Sequence, residues 1–382
     1  MSAGVHLRGL STTVPPTILP QPAVRDVFRE QPGLNRLAQR IIGTSFDVSG
    51  IERRYTVLEE LTFDDRGDDP VFFDRSTGEL MLPGTKARNE IYAVEATKLY
   101  VEAARLAIAA TPGVDAADIT HVVTVSCTGF YAPGPDYMLV RDLGLGPAVQ
   151  RYHLGFMGCY ASMPALRNAV QFCEADPDAV VLVVSVELCT LHLRSSNDPD
   201  TIVASSLFAD GAGAGIVTAR PPEAGERAFA LDRFETRITP VGEGDMAWKI
   251  GDHGFEMVLS NAVPSIIDDH ITGALEPLFA PDADLADGLA TDAASEHVAH
   301  WAIHPGGRSI LDKVESRLQL SETQLVPARS TLRDFGNMSS ATVLFVLRYI
   351  LDQASAADGD RVAAMAFGPG LTVESALMTV KG

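Results

Sequence analysis

The stretch Gly155-Phe156-Met157-Gly158-Cys159-Tyr160-Ala161-Ser162-Met163-Pro164-Ala165-Leu166-Arg167 decides how the chain is read. A cysteine follows a glycine at a sharp turn, and an apolar helical pattern begins straight after it. Ala165/Leu166, Ala169/Val170 and Cys173 recur at helical spacing. Proline is tolerated only in the first turn of a helix, where amide N–H groups lack partners, so Pro164 limits where this helix starts. Cys159 therefore sits at or just before a helix N-terminus, where the macrodipole favours an anion and lowers a cysteine pKa. A thiolate there suits covalent catalysis. A buried cysteine ahead of a packing helix reads equally well from this stretch alone.

Outward from this turn the chain alternates strand and helix. His121–Ser126 and Val180–Val186 read as buried strands on either side of the cysteine helix, and Val5–Leu10 as a short strand. The part from there to about Leu82 reads as mixed helix and loop. Asn89–Ala110 reads as a long amphipathic helix. Asp210-Gly211-Ala212-Gly213-Ala214-Gly215 is glycine-rich, but it leads into the strand-like Ile216-Val217-Thr218 and not into a helix. Close backbone approach in a packed strand is expected there, not a phosphate loop. Pro221-Pro222-Glu223-Ala224-Gly225-Glu226 reads as a linker. Beyond it, helices are expected over Ser260–Leu278, Ser309–Leu318 and Asn337–Leu351, and strands over Val298–Ile303 and Val362–Phe367. Asp282–Asp292, acidic and alanine-rich, reads as a solvated loop. This rhythm argues an α/β chain of two parts, 1–222 and 223–382.

The 382 residues are 46% hydrophobic and carry a formal net charge of −20, which argues against binding nucleic acid or anionic membrane through a general field. Four cysteines, none in a Cys-x-x-Cys pair, fit reduced thiols in a cytoplasm better than a disulfide framework or a zinc site. Met1–Pro16 lacks the charged and apolar regions of a signal peptide, and no apolar run reaches about 18 residues, so no membrane span is expected.

Two further residues share the context of Cys159. His304 ends a strand and is followed by Pro305-Gly306-Gly307. Asn337 follows Gly336 at the expected start of a helix. Side chains at strand ends and helix starts converge on one crevice of an α/β sheet. Each alone is more often structural: a histidine at a strand end, an asparagine as an N-cap.

Taken together, Cys159-Tyr160-Ala161, Trp301-Ala302-Ile303-His304-Pro305-Gly306-Gly307, Gly336-Asn337-Met338-Ser339-Ser340-Ala341 and Phe367-Gly368-Pro369-Gly370-Leu371-Thr372 resemble, in order and spacing, the motifs of type III polyketide synthases, the chalcone synthase-like enzymes. The resemblance runs from about Arg53 to Met378. It implies a thiolase-like five-layer α-β-α-β-α fold made of two βαβ-rich halves, working as a homodimer with no cofactor and no metal. Cys159 would come from the first half, His304 and Asn337 from the second. A thiolate accepts an acyl group from a thioester, and His304 can hold it as a thiolate–imidazolium pair. Malonyl-CoA loses carbon dioxide to give an enolate, whose oxygen His304 and Asn337 would stabilise. Loss of the carboxylate itself generates the carbanion, so the chemistry requires neither an external base nor a metal. The rival enzyme with the same trio, a ketoacyl-carrier-protein synthase, condenses once. A silent acyl-binding subunit would be expected to lack the nucleophile or the histidine, and both are here.

The same resemblance assigns the pocket. Phe208 matches one gate phenylalanine of the family and Met257 stands where the second would be. Cys127, Cys189 and His192 stand at cavity threonines of the plant enzymes, and Trp248 at a glycine. Ala132 stands where a residue reaches across the dimer, so that contact should be small. The basic residues that bind CoA in the plant enzymes correspond to Ile41, Thr44 and Val48, leaving Arg40, Arg53, Arg54 and Arg308 to contact phosphates. An acyl-CoA or acyl-carrier-protein starter is therefore expected alongside malonyl-CoA. The pattern Met246-Ala247-Trp248-Lys249-Ile250-Gly251-Asp252 most resembles bacterial members that make alkylresorcinols or alkylpyrones from fatty acyl starters.

Overall fold

The computed structural model describes residues 4–62, 70–353 and 355–382. Its main sheet has nine strands: β1 (His6–Thr13), β2 (His121–Ser126), β3 (Gln150–Gly155), β4 (Val180–Leu188), β5 (Asp210–Thr218), β6 (Ala228–Ile238), β7 (His300–Ile303), β8 (Arg361–Gly368) and β9 (Thr372–Lys381). Their order is β7-β8-β9-β6-β1-β5-β4-β2-β3. The order contains one pattern twice. In β2-β4-β5-β1 the first pair is parallel and the next two are antiparallel, and β7-β8-β9-β6 repeats this. The strand β3 is an added edge. The two half-sheets join at a short antiparallel rung, His6 with Ala230 and Leu7 with Phe229. The duplication that no internal sequence similarity betrays is thus plain in strand order.

The helices complete five layers. Thr85–Ala109 covers the outer face of β1, β4 and β5, and Val263–Phe279 covers β6 and β9. Between the half-sheets lie two core helices, Ser162–Ala175 and Thr342–Asp352. The first packs on β2, β4 and β5 and reaches β9; the second packs on β7 and β8 and reaches β1 and β5. A helix facing protein on all sides reads as apolar all round. Ser162 to Leu166 and Thr342 to Leu347 are accordingly all buried. The glycines of β5 allow the second helix to come close. A Cβ on Gly213 would lie 2.9 Å from Leu344, and one on Gly211 2.3 Å from the Met338 sulfur. The fold is the α/β, thiolase-like one that the motifs imply.

Two expectations change. Asp282–Asp292 is not a loop: Ala283–Ala290 is helical, with Leu285 and Leu289 buried. Its apolar pair four residues apart outweighs the acidic composition. No helix starts at Asn337 either. Helix Glu322–Phe335 stops at Gly336, whose φ of +73° ends it, and the next helix begins at Thr342 after a short 3-10 turn. Asn337 lies in the turn between them.

Candidate active site

The ends of the parallel strands bring the candidates together. Cys127 directly follows β2, Glu187 and Cys189 lie at the end of β4, His304 directly follows β7, and Pro369 directly follows β8. Cys159 is in the turn before the core helix, which starts at Ser162 and holds Pro164 in its first turn. Gly158 has φ +88°, and a Cβ there would lie 2.5 Å from Cδ of Pro369, so the turn requires glycine.

Cys159 is buried, 7% exposed. Burial pushes its thiol up to about 12, outweighing hydrogen bonds from Ser339 and Asn337, while the Glu187 carboxylate adds to the rise. The lowering expected from a helix N-terminus does not prevail in this closed site. His304 is buried as well, and burial alone pushes its imidazole down to about 3. Among the described residues neither of its ring nitrogens has a hydrogen-bond partner. Both nitrogens are therefore free to meet a group that enters the site.

Asn337 connects these groups. Its Nδ2 donates to the Gly306 carbonyl (3.2 Å), in the turn that follows His304, and its Oδ1 accepts from the Ser339 N–H (2.9 Å). Its backbone pairs on both sides of Phe208: Ala209 N–H donates to the Asn337 carbonyl and Asn337 N–H to the Leu207 carbonyl, both at 2.9 Å. Phe208 and Asn337 thus lie side by side in a one-residue bridge. Phe208 in turn clusters with Cys159, Cys189 and Met257.

Glu187 was not singled out from sequence. Its carboxylate, 0% exposed, accepts from the Cys127 N–H (2.9 Å), Thr128 Oγ1 (2.8 Å), Ser126 Oγ (3.2 Å) and the Ser340 hydroxyl. The available signal was a lone acid inside the apolar run of β4, since a buried charge must be satisfied by specific donors. Cys127 Sγ lies 3.2 Å from Ser339 Oγ, adding a residue of the Asn337 turn to the same network.

The pocket over Cys159 is lined by Cys127, Cys189, His192, Phe208, Trp248 and Met257, together with Thr128, Ser339 and Phe255. Its free space is about 40 Å³, room for a few waters at about 10–15 Å³ each. One wall is the hairpin Met246–Gly251/Gly254–Leu259, in which Trp248 is paired with Met257. Trp248 Nε1 donates to the Cys127 carbonyl (2.7 Å), and its ring stands edge-on to His192 and Phe255. His192 is a pin, not a floating cavity residue. Its Nδ1 accepts from the Phe255 N–H (3.0 Å), its Nε2 donates to the Thr128 carbonyl (2.8 Å), and its ring stacks on Phe255 at 4.2 Å. Burial pushes its pKa down to about 3, so it stays neutral.

The arginines separate. Arg54 does not contact phosphate. It is fully buried and donates to Gln21 Oε1 (2.9 Å) and to the carbonyls of Ser205 (2.8 Å) and Phe208 (2.7 Å), fixing the Phe208 backbone from behind. Arg53 and Arg308 are at the surface, loosely paired with Asp334 (3.3 Å) and Asp312 (3.7 Å).

The duplicated fold, with Cys159 and Asn337 in turns ahead of the two core helices and His304 at a strand end, is that of the thiolase-like acyl-transferring enzymes. The models of the chalcone and stilbene synthase N-terminal and C-terminal domains match residues 3–221 and 231–381. A bisdemethoxycurcumin synthase of Oryza sativa subsp. japonica is 34% identical over 336 residues, 86% of this chain and 80% of that protein. Among solved structures, PKS-I of the brown alga Ectocarpus siliculosus superposes with a TM-score of 0.88 at 26% identity, over 99% of each chain. The 1,3,6,8-tetrahydroxynaphthalene synthase of Streptomyces coelicolor A3(2), a bacterial type III polyketide synthase, does so with 0.84 at 25%, again over 99% of each. The chain belongs to the chalcone and stilbene synthase family of type III polyketide synthases, acyltransferases that condense malonyl-CoA iteratively and cyclise the product. Among the described residues no helix is long and apolar enough to cross a membrane.

Replacing Trp248 tests the pocket wall. Trp248→Gly removes the indole between Cys127 and the hairpin and should shift products toward more extensions or a different ring, as read by mass spectrometry. The loss of stability should fall below the roughly 3–5 kcal/mol of an emptied core tryptophan, because Trp248 is only partly buried. An unchanged product profile would show that the indole does not bound the growing chain.

Proposed function

We propose that Cys159 accepts the starter acyl group and that His304 and Asn337 hold the thioester oxygen during decarboxylation. The observation that carries this reading is the pair of unpartnered ring nitrogens on a buried histidine, joined through the Gly306 turn to the asparagine that donates toward the Cys159 sulfur. Loading begins as the Cys159 proton passes to His304 and the sulfur attacks the carbonyl of the starter. The departing CoA thiolate takes that proton back. A malonyl thioester then loses carbon dioxide, and its enolate oxygen takes hydrogen bonds from His304 and from Asn337 Nδ2. The enolate carbon attacks the Cys159 thioester, the carbon–sulfur bond breaks, and the chain leaves on CoA two carbons longer. Repetition gives the polyketide that cyclises. Removing one such donor costs about 2.7–4 kcal/mol in comparable sites.

For the starter we assign a fatty acyl group, with an alkylresorcinol or alkylpyrone as product. The support is the apolar character of the wall: among the lining residues of the pocket Arg194 alone is a charged type, since His192 is held neutral. The unbranched Met257 at the gate can move aside for a chain that 40 Å³ cannot hold. With Arg54 buried, Arg40, Arg53 and Arg308 are the surface cations that remain of the four named for the phosphates of CoA. Incubation with malonyl-CoA and acyl-CoAs of increasing length should give one acyl group on Cys159 by intact mass, and longer starters should give more product. Label on Cys127 or Cys189, or product from malonyl-CoA alone with no response to added starter, would overturn these assignments.

The pair of His304 and Cys159 predicts a pH signature. Burial disfavours a lone thiolate and a lone imidazolium, so the thiolate forms by moving its proton to His304. Wild-type Cys159 should therefore be alkylated by iodoacetamide near neutral pH. In His304→Gln the thiol keeps the burial penalty without a proton acceptor, and alkylation should need alkaline pH. Identical profiles would exclude the pair.

The enzyme is further proposed to work as a homodimer through the exposed edge strand β3. Its outer edge is unpaired in the sheet order, and Tyr137, Tyr152 and Phe156 are exposed around it. Exposed, unpaired edges are rare unless a partner covers them. Sedimentation should give twice the chain mass, and Tyr152→Glu should give monomers. A monomeric wild type would reject this surface.

A further inference from the structure

We propose that the outer face of the helix Arg36–Val48 docks an acidic acyl carrier domain that delivers the starter on its phosphopantetheine arm. This rests on the reading of Cys159 as the acyl acceptor. The helix buries Ala38, Ile42 and Phe46 against the protein. On the other side, Leu37, Ile41, Thr44 and Val48 follow at i, i+4, i+7 and i+11, one stripe of a helix surface. Leu37 is 64% and Val48 54% exposed, although neither side chain gains from water.

Arginines flank that stripe. Arg36 and Arg40 lie one residue before Leu37 and Ile41, and Arg29 brings its Nε to 4.0 Å from where a side chain on Gly43 would begin. Among the described residues none of the three has a carboxylate within ion-pair distance. Two of the nearby acids, Asp26 and Asp47, pair with Arg25. In a chain of net charge −20, three free guanidinium groups beside an apolar stripe form a local exception. They match a partner that is acidic around an apolar centre, and the long-range repulsion between two acidic proteins makes this local match decisive.

The helix is also well placed. It packs against helix Pro199–Leu207, whose next residue is the gate Phe208 and whose Thr201, Ala204 and Ser205 line the pocket. Its entrance is tied to the loop before that helix: Asn35 N–H donates to Asn197 Oδ1 (2.9 Å), and Asn197 Nδ2 to the Gly33 carbonyl (3.0 Å). One layer of packed helices, about 8–10 Å between axes, separates the face from the gate. A phosphopantetheine arm is longer than that separation. A free CoA molecule gains nothing from Leu37, Ile41 and Val48, which offer its phosphates no donor. A second copy of this chain is disfavoured, because a two-fold contact would set the three cations against their own copies.

The test compares two donors of one acyl group, decanoyl-CoA and a decanoyl-loaded acyl carrier protein of a bacterial fatty acid synthase, by the rate at which Cys159 gains mass. The wild type should load at least tenfold faster from the carrier at equal low concentration. Arg36→Glu and Leu37→Asp should each cut carrier loading tenfold or more, with CoA loading held within about twofold. The proposal fails if the carrier is no better than CoA in the wild type, if both donors slow together in the variants, or if neither slows. Absence of label on Cys159 from either donor would instead remove the acyl-acceptor reading on which the proposal rests.

Discussion

The active site depends on how one buried carboxylate is satisfied. Glu187 has no exposure, and burial raises its pKa against the pull of its hydrogen bonds from Ser340, Cys127 and Thr128. Every donor it collects is thereby fixed. Ser340 is the most consequential, because it belongs to the second half of the chain. Its hydroxyl also meets Ser185 Oγ of β4 (2.8 Å), and its carbonyl accepts from Ser162 Oγ (2.6 Å), the first residue of the cysteine helix. One serine therefore fastens the Asn337 turn to the start of the cysteine helix. Losing a partner inside such a network leaves the remaining donors unsatisfied, at about 1–3 kcal/mol each. This clamp ties the two halves of the chain at the site, in addition to the two-residue rung that joins the half-sheets.

The clamp has an electrostatic consequence. Burial pushes Cys127, Cys159 and Cys189 up and His192 and His304 down, so each stays uncharged at neutral pH. A neutral, dry pocket is where a thioester enolate benefits most from oriented donors, since the effective dielectric is low. It also discourages a malonyl carboxylate from lingering and lets neutral carbon dioxide leave. The Glu187 charge opposes a thiolate at Cys159, so in the proposed mechanism the thiolate would last only while His304 holds its proton.

Much of this was legible in the sequence, and what was not had a physical reason. Six of the nine strands of the main sheet, β1, β2, β4, β5, β7 and β8, and the glycine approach in β5 follow from local pattern, and the motifs pick out Cys159, His304 and Asn337; β3, β6 and β9 are not among the strands expected. Arg54 could not be placed, because adjacent basic residues look alike in sequence although in a strand they face opposite ways. Arg53 points to solvent and Arg54 to three acceptors in the core. The Ala283–Ala290 helix was hidden by a composition that suits a solvated loop. Glu187 was visible as an anomaly, but its partners come from β2, the Cys127 loop and residue 340, separations that no local reading spans.

Pocket shape and chemistry are carried by different parts of the molecule. The residues proposed for catalysis stand on a strand end and on turns ahead of core helices, whereas the opposing wall is a two-stranded hairpin outside the main sheet. That hairpin is held at three points. The Thr85 hydroxyl donates to the Gly251 carbonyl and accepts from the Gly254 N–H, His192 accepts from Phe255, and Trp248 donates to Cys127. The first tie comes from the outer helix and the other two from the floor of the pocket. Because the alternation of a strand sends Trp248 and Met257 to the same face, a substitution at either changes the space above Cys159 without moving a catalytic atom. On the proposed reading the hairpin, through an indole and a flexible thioether, would set how long a chain the pocket holds while the condensation chemistry stays the same.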